Sequence, residues 1–168
     1  MSNTHLLQRI ISLSQESVTS IREIIWAIDP KPETLYDLLL RVHDLAINAC
    51  RGYNMILKFD IPKKESIPDK NLLPEQRKHL WLIFKEAIHN AVKHSNGSKL
   101  TIEVLYKIRL LHFYISDNGC GLDSTGDQFP FSGKGINIMK SRIEQLGGSF
   151  EISSGADKGT TLRFWVRI

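Results

Sequence analysis

The sequence predicts an α+β fold in which a long N-terminal helix precedes a unit of strands with helices inserted between them. Three observations predict it. Residues 3–28 carry an apolar seam with heptad spacing, residues 74–94 show helical periodicity with one polar face, and residues 99–116 form two stretches of strand character in hairpin order. A length of 168 residues with 42% hydrophobic content is enough to bury a core without staples.

In the first element Leu7, Ile11, Ser14, Val18, Ile21, Ile25 and Ile28 alternate steps of four and three, with Leu6, Ile10 and Ile24 widening the seam. Such a helix buries its seam against another chain or in a bundle. Pro30 and Pro32 break it, because each removes a backbone donor and restricts the residue before it, so a domain boundary is expected between 1–29 and 30–168. A second helix is expected from Glu33 to Arg51, stopping at Gly52, then a strand from Met55 to Ile61 and an exposed loop over Pro62 to Glu65. A third helix starts at Pro74 and closes at His94 in the Ser95-Asn96-Gly97 turn. Strands at Lys99–Tyr106 and Arg109–Ser116 follow, then a glycine-rich stretch, a helix from Ile136 to Leu146, a Gly147-Gly148 stop and two final strands.

Composition excludes several classes. Cys50 and Cys120 lack CxxC spacing and a histidine cluster, which argues against a disulfide framework or a zinc site and favours a reducing, cytoplasmic setting. The net charge of +4 is spread along the chain and mixed with acids, so no nucleic-acid surface is indicated. No run reaches the roughly 20 apolar residues of a membrane span, and no direct membrane contact is expected.

Four patterns can carry chemistry. On the third helix, Glu86, Asn90 and Lys93 fall within an arc of roughly 60°, opposite Leu80, Phe84, Ala87, Ile88 and Ala91. Oxygen donors and an ammonium so aligned suit a hydrated magnesium ion and a phosphate; a solvated helix face is the plain alternative. Asp117 ends a strand and is followed by Gly119 and Gly121, an arrangement that lets a carboxylate meet an exocyclic amine while backbone approaches a planar ring; it is equally a common turn. Gly133, Lys134 and Gly135 open a helix whose N-terminus can face a phosphate, after a stretch with lid-like composition tipped by Phe129 and Phe131. Thr160 and Thr161, after Gly159, offer hydroxyls at the entry to the last strand, or a plain turn.

In this order and spacing the four patterns resemble the N, G1, G2 and G3 boxes of the GHKL superfamily, which includes gyrase, the Hsp90 chaperone, MutL and the histidine kinases. The runs from Lys85 to Ser95 and from Gly133 to Gly148 resemble the DesK/NarX-like sensor kinases, and Ile21 to Pro30 resembles the end of the second helix of their dimerisation hairpin. The resemblance implies a Bergerat α/β sandwich, a mixed sheet with helices on one face, and ATP with Mg2+ as ligands. Asn90 would ligate magnesium, Asp117 would read the adenine amine, Glu86 would polarise or position a water or the attacking group near the γ-phosphate, and Lys93 would neutralise phosphate charge. His94 would support the helix end or border the phosphates. Gly119, Gly121, Gly133, Lys134 and Gly135 would shape the pocket and lid, with Thr160 or Thr161 beside the base. His89 lies about 60° from Glu86, outside the polar arc, and is read as structural.

The implied function is the ATP-binding catalytic domain of a two-component sensor histidine kinase, with a response regulator as partner and a homodimer through the N-terminal helix in the full-length kinase. One departure qualifies it: the family's phosphoacceptor histidine precedes such a hairpin helix, so the γ-phosphoryl group would go to a histidine not present in this chain, and autophosphorylation by this chain alone is not expected. His43-Asp44 follows the Pro30 break and is read as a decoy, and His5 lacks a following acid. An anti-sigma-type serine protein kinase and a catalytically silent nucleotide-binding scaffold remain the alternatives.

Overall fold

The computed structural model describes residues 31–121, 134–156 and 158–167, and nine helical positions of the N-terminal segment: 6, 7, 10, 11, 14, 18, 21, 25 and 26. The predicted lid with Phe129 and Phe131, Gly133, His5 and the break at Pro30 lie outside the described residues.

Helix α1, Leu35–Gly52, opens on a capping box: the Thr34 hydroxyl accepts from the Asp37 N–H at 3.3 Å, and the Asp37 carboxylate accepts from the Thr34 N–H at 3.0 Å. The helix ends at Gly52 as expected, but the left-handed residue that turns the chain is Asn54, with φ of 53°, while the Met55 N–H returns to the Cys50 carbonyl. Strand β1, Ile56–Asp60, and a single 3-10 turn, Lys64–Ser66, lead to helix α2, Pro74–His94, where the Gln76 side chain accepts from the Leu73 N–H at 3.0 Å. Strands β2, Lys99–Lys107, and β3, Leu110–Asp117, are joined through Ile108 and Arg109, both at positive φ, as a two-residue hairpin turn requires.

Helix α3, Lys134–Gln145, starts two residues earlier than periodicity predicts. It closes in a Schellman motif: Gly148 N–H reaches the Ile143 carbonyl at 2.9 Å and Gly147 takes φ of 66°. Strands β4, Ser149–Gly155, and β5, Gly159–Arg167, complete a five-stranded sheet of order β1-β2-β3-β5-β4. β1 pairs parallel with β2, and the other neighbours are antiparallel. A parallel β1–β2 pair needs a crossover, and α2 lies within it.

Alternation along the strands puts Ile102, Val104, Phe113, Ile115, Leu162 and Phe164 on one buried face, while Glu103, Tyr114 and Arg163 take the other. On the buried face Phe113 stacks on Phe164 at 4.6 Å, and Phe84 of α2 meets Phe113 edge-on at 5.4 Å. Leu38, Leu39 and Val42 of α1 and Met139 and Ile143 of α3 complete this core. The result is the mixed sheet with helices on one face that the resemblance implies.

The N-terminal segment reaches this unit through Trp26. Its ring meets Trp81 of α2 edge-on at 5.2 Å, its Nε1–H donates to Glu33 Oε1 at 2.9 Å, and the guanidinium groups of Arg41 and Arg77 lie 4.6 and 5.3 Å from its centroid. Arg77 is fully buried and faces Glu33 at 3.6 Å, while donating to the Lys31 carbonyl at 3.0 Å. By contrast the seam residues Leu7, Ile11, Val18, Ile21 and Ile25 are exposed. Among the described residues no helix is long and apolar enough to cross a membrane.

Candidate active site

Helix α2 supplies one wall of a cavity of about 230 Å³. Glu86, Asn90 and His94 line it, with Ala87, Ala91 and Ser95. Four-residue steps advance a helix by about 400°, so these side chains form a line drifting about 40° per step. Lys93, within the predicted polar arc, is exposed and outside the lining. His89 is exposed and approaches His94 edge-on at 6.0 Å, and His43 packs edge-on against Phe59 at 4.9 Å, with neither histidine lining the cavity.

Asp117, the last residue of β3, stands on the sheet side of the cavity. Its Oδ1 accepts from the Gly119 N–H at 2.9 Å and from the Thr160 N–H at 3.3 Å, which orients the carboxylate and leaves Oδ2 for a ligand donor. Burial pushes the Asp117 carboxyl above the ordinary carboxylate range, and the backbone N–H groups of Gly119 and Thr160 pull the other way. Thr160 lines the cavity and its hydroxyl pairs with Ser154 at 3.1 Å. The Thr161 hydroxyl instead pairs with Ser116 at 2.8 Å, and Thr161 is not in the lining, because adjacent strand residues point to opposite faces.

The glycines divide in the same way. Gly121, with φ of 76°, and Gly135 line the cavity. A Cβ on Gly135 would overlap Glu86 Oε1, so the absence of a side chain lets the Glu86 carboxylate lie against the start of α3. Gly119 is buried outside the lining: a Cβ there would overlap the Ser95 carbonyl oxygen, so its bareness serves the contact between the turn and the end of α2. Lys134 is exposed at the first position of α3, outside the lining.

Sequence reading missed the apolar surface between the two walls. Ile115, Ile136, Met139, Ile152 and Leu162 line it from β3, α3, β4 and β5. Ile115 lies two residues before Asp117 on the same side of the strand, and Met139 is one helical turn after Ile136, so the periodicities held part of this signal. An apolar slot ending in an oriented carboxylate suits a planar heteroaromatic base with an amine, and Glu86, Asn90 and His94 suit charged groups attached to it.

This fold and site define the class of ATP-binding domains in which helices and a mixed sheet enclose the nucleotide. Residues 75–168 match the Histidine kinase-, DNA gyrase B-, and HSP90-like ATPase family, and the chain belongs to it. It is 38% identical over 90 residues to the sensor histidine kinase LiaS of Bacillus subtilis, an overlap covering 54% of this chain and 24% of LiaS. It is 30% identical over 162 residues to the sensor protein VraS of Staphylococcus epidermidis, covering 94% of this chain and 42% of VraS. The chain therefore spans less than half the length of these relatives. Among solved structures, the Acinetobacter baumannii histidine kinase AdeS shares the fold with a TM-score of 0.65 at 17% identity, over 98% of this chain and 82% of AdeS. The chain contains an ATP-binding catalytic domain of the histidine-kinase type.

Proposed function

We propose that this domain presents the γ-phosphoryl group of Mg-ATP to a histidine carried on another helix. The observation that carries the reading is Asp117, held by two backbone N–H groups at one end of an apolar cavity whose other wall carries Glu86 and Asn90. Asp117 Oδ2 accepts from the adenine amine, while Ile115, Met139, Ile152 and Leu162 contact the base and exclude water. Glu86 orients the attacking imidazole or takes its proton. Lys93 and Lys134, exposed at the end of α2 and the start of α3, add positive charge for the phosphates, with Gly135 keeping the helix start free of a side chain. Catalysis then rests on positioning and electrostatics, with no covalent intermediate on this domain.

The donor set fits magnesium carried in with the nucleotide. Asn90 lines the cavity beside Glu86, and its amide oxygen would be the protein's own ligand, with phosphate oxygens and water supplying the others. The ion's chemistry is to neutralise charge on the phosphates.

Residues 1–29 act as a dimerisation helix and 30–168 as the catalytic unit, on the cytoplasmic side, with a response regulator as downstream partner. The exposed seam of Leu7, Ile11, Val18, Ile21 and Ile25 supports self-association, and a concentration-independent monomer in sedimentation would count against it. The nucleotide site is tested by calorimetric titration with ADP and a non-hydrolysable ATP analogue, with and without magnesium. Asp117→Asn should abolish binding, and Asn90→Ala should weaken it mainly when magnesium is present. A wild-type protein that binds neither nucleotide sinks the reading.

A further inference from the structure

We propose that Asn118 is a positioning residue that ties the Asp117 turn to Ser98 and Lys99, the entry to β2 just after the end of helix α2, and thereby helps set the span between the base end and the phosphate end of the site. The proposal rests on the nucleotide reading above. Asp117 and the Glu86, Asn90 and His94 wall belong to segments far apart in sequence, so a ligand touching both requires their separation to be held. The hydrogen bonds that hold it lie just outside the cavity. Asn118 Oδ1 accepts from the Ser98 and Lys99 N–H groups at 2.9 and 2.8 Å, and Asn118 Nδ2 donates to Ser98 Oγ at 3.1 Å.

Ser95 completes the contact from the other side. Its carbonyl accepts from the Cys120 N–H at 2.7 Å, and its buried hydroxyl donates to the Ala91 carbonyl at 2.5 Å while accepting from the Gly97 N–H at 2.9 Å. The two turns approach so closely that a Cβ on Gly119 would overlap the Ser95 carbonyl, and one on Gly97 would stand 2.9 Å from Asn118 Oδ1. Both glycines are thus explained by the clamp rather than by a ligand. Asn118 is not among the residues lining the cavity, so its removal takes away no lining side chain and loosens a joint that then rests on the Asn118 N–H to Lys99 and Cys120 N–H to Ser95 bonds.

The test is to titrate wild type, Asn118→Ala and Asn118→Asp with ADP and with adenosine, following binding by NMR. Adenosine needs only the Asp117 end, whereas ADP spans both ends. Asn118→Ala should lower ADP affinity about tenfold, the scale of losing hydrogen bonds to two backbone donors, and should change adenosine affinity less than about twofold. Asn118→Asp keeps an acceptor for both N–H groups and should bind ADP within about threefold of wild type. Unchanged ADP binding by Asn118→Ala, or ADP and adenosine affinity falling together, overturns the clamp while leaving the nucleotide reading intact. If Asn118→Ala does not fold, Asn118→Asp decides alone: a tenfold loss of ADP affinity overturns the clamp, and near-wild-type binding supports it. Wild-type protein that binds neither ligand ends both readings.

Discussion

Asp117 sets folding against binding. Burial raises its carboxyl pKa, so the charged form that accepts from an amine costs more in the folded, nucleotide-free domain than in the unfolded chain. A raised folded-state pKa favours the fold at low pH, and that contribution is lost as pH rises through the raised value. Asp117→Asn keeps an oxygen for the Gly119 and Thr160 N–H groups and carries no charge. It should therefore raise the melting temperature of the nucleotide-free domain at pH 7, with the gain over wild type shrinking as the pH falls towards the carboxylate range. Melting curves at several pH values check this, and a gain that grows on acidification would contradict it. The position of this acid at a strand end before two glycines was readable from the sequence. The tasks of those glycines were not, because the neighbour of Gly119 is Ser95, brought there by the packing of α2 on the sheet.

At the scale of elements, local chemistry decided most boundaries. The Thr34 and Asp37 box starts α1, and bonds from the Thr34 hydroxyl and then its N–H hold the Asp37 carboxyl below the ordinary range. Thr34→Ala should cost about 1 kcal/mol in urea unfolding near neutral pH. A depressed pKa contributes stability that is present above the unfolded value and lost as pH falls through the folded one, so this cost should diminish in acid. Helix α2 was legible as a core face and a polar face. Which polar residues would face the cavity was not: His94 lines it and Lys93 does not, because the cavity follows steps of four along α2, set by where the sheet lies. Likewise the left-handed exit of α1 fell to Asn54 instead of the glycine that sequence reading favours.

For the whole molecule, the junction at Trp26 joins the N-terminal segment to the helix that carries Glu86 and Asn90. Trp26 covers the buried Arg77 guanidinium and meets Trp81, all on the N-terminal half of α2, while the cavity lies along its C-terminal half. Trp26→Ala should lower stability by about 2 kcal/mol, since it removes packing, a hydrogen bond and a cation–π partner. It should leave ADP affinity within about twofold. An unchanged urea midpoint would show that the helix end is not docked. Sequence by itself determined the elements and the α+β class, because each follows from periodicity or from a residue's own conformational limits; the arrangement of helices on one face of the sheet came from the family resemblance of the four motifs. Only the tertiary structure decided the apolar slot drawn from four elements, which of Thr160 and Thr161 faces the cavity, and the contact between the turn at Asn118 and the entry to β2. Those depend on strand register and on which backbone atoms meet across tens of residues, and no local pattern encodes that distance.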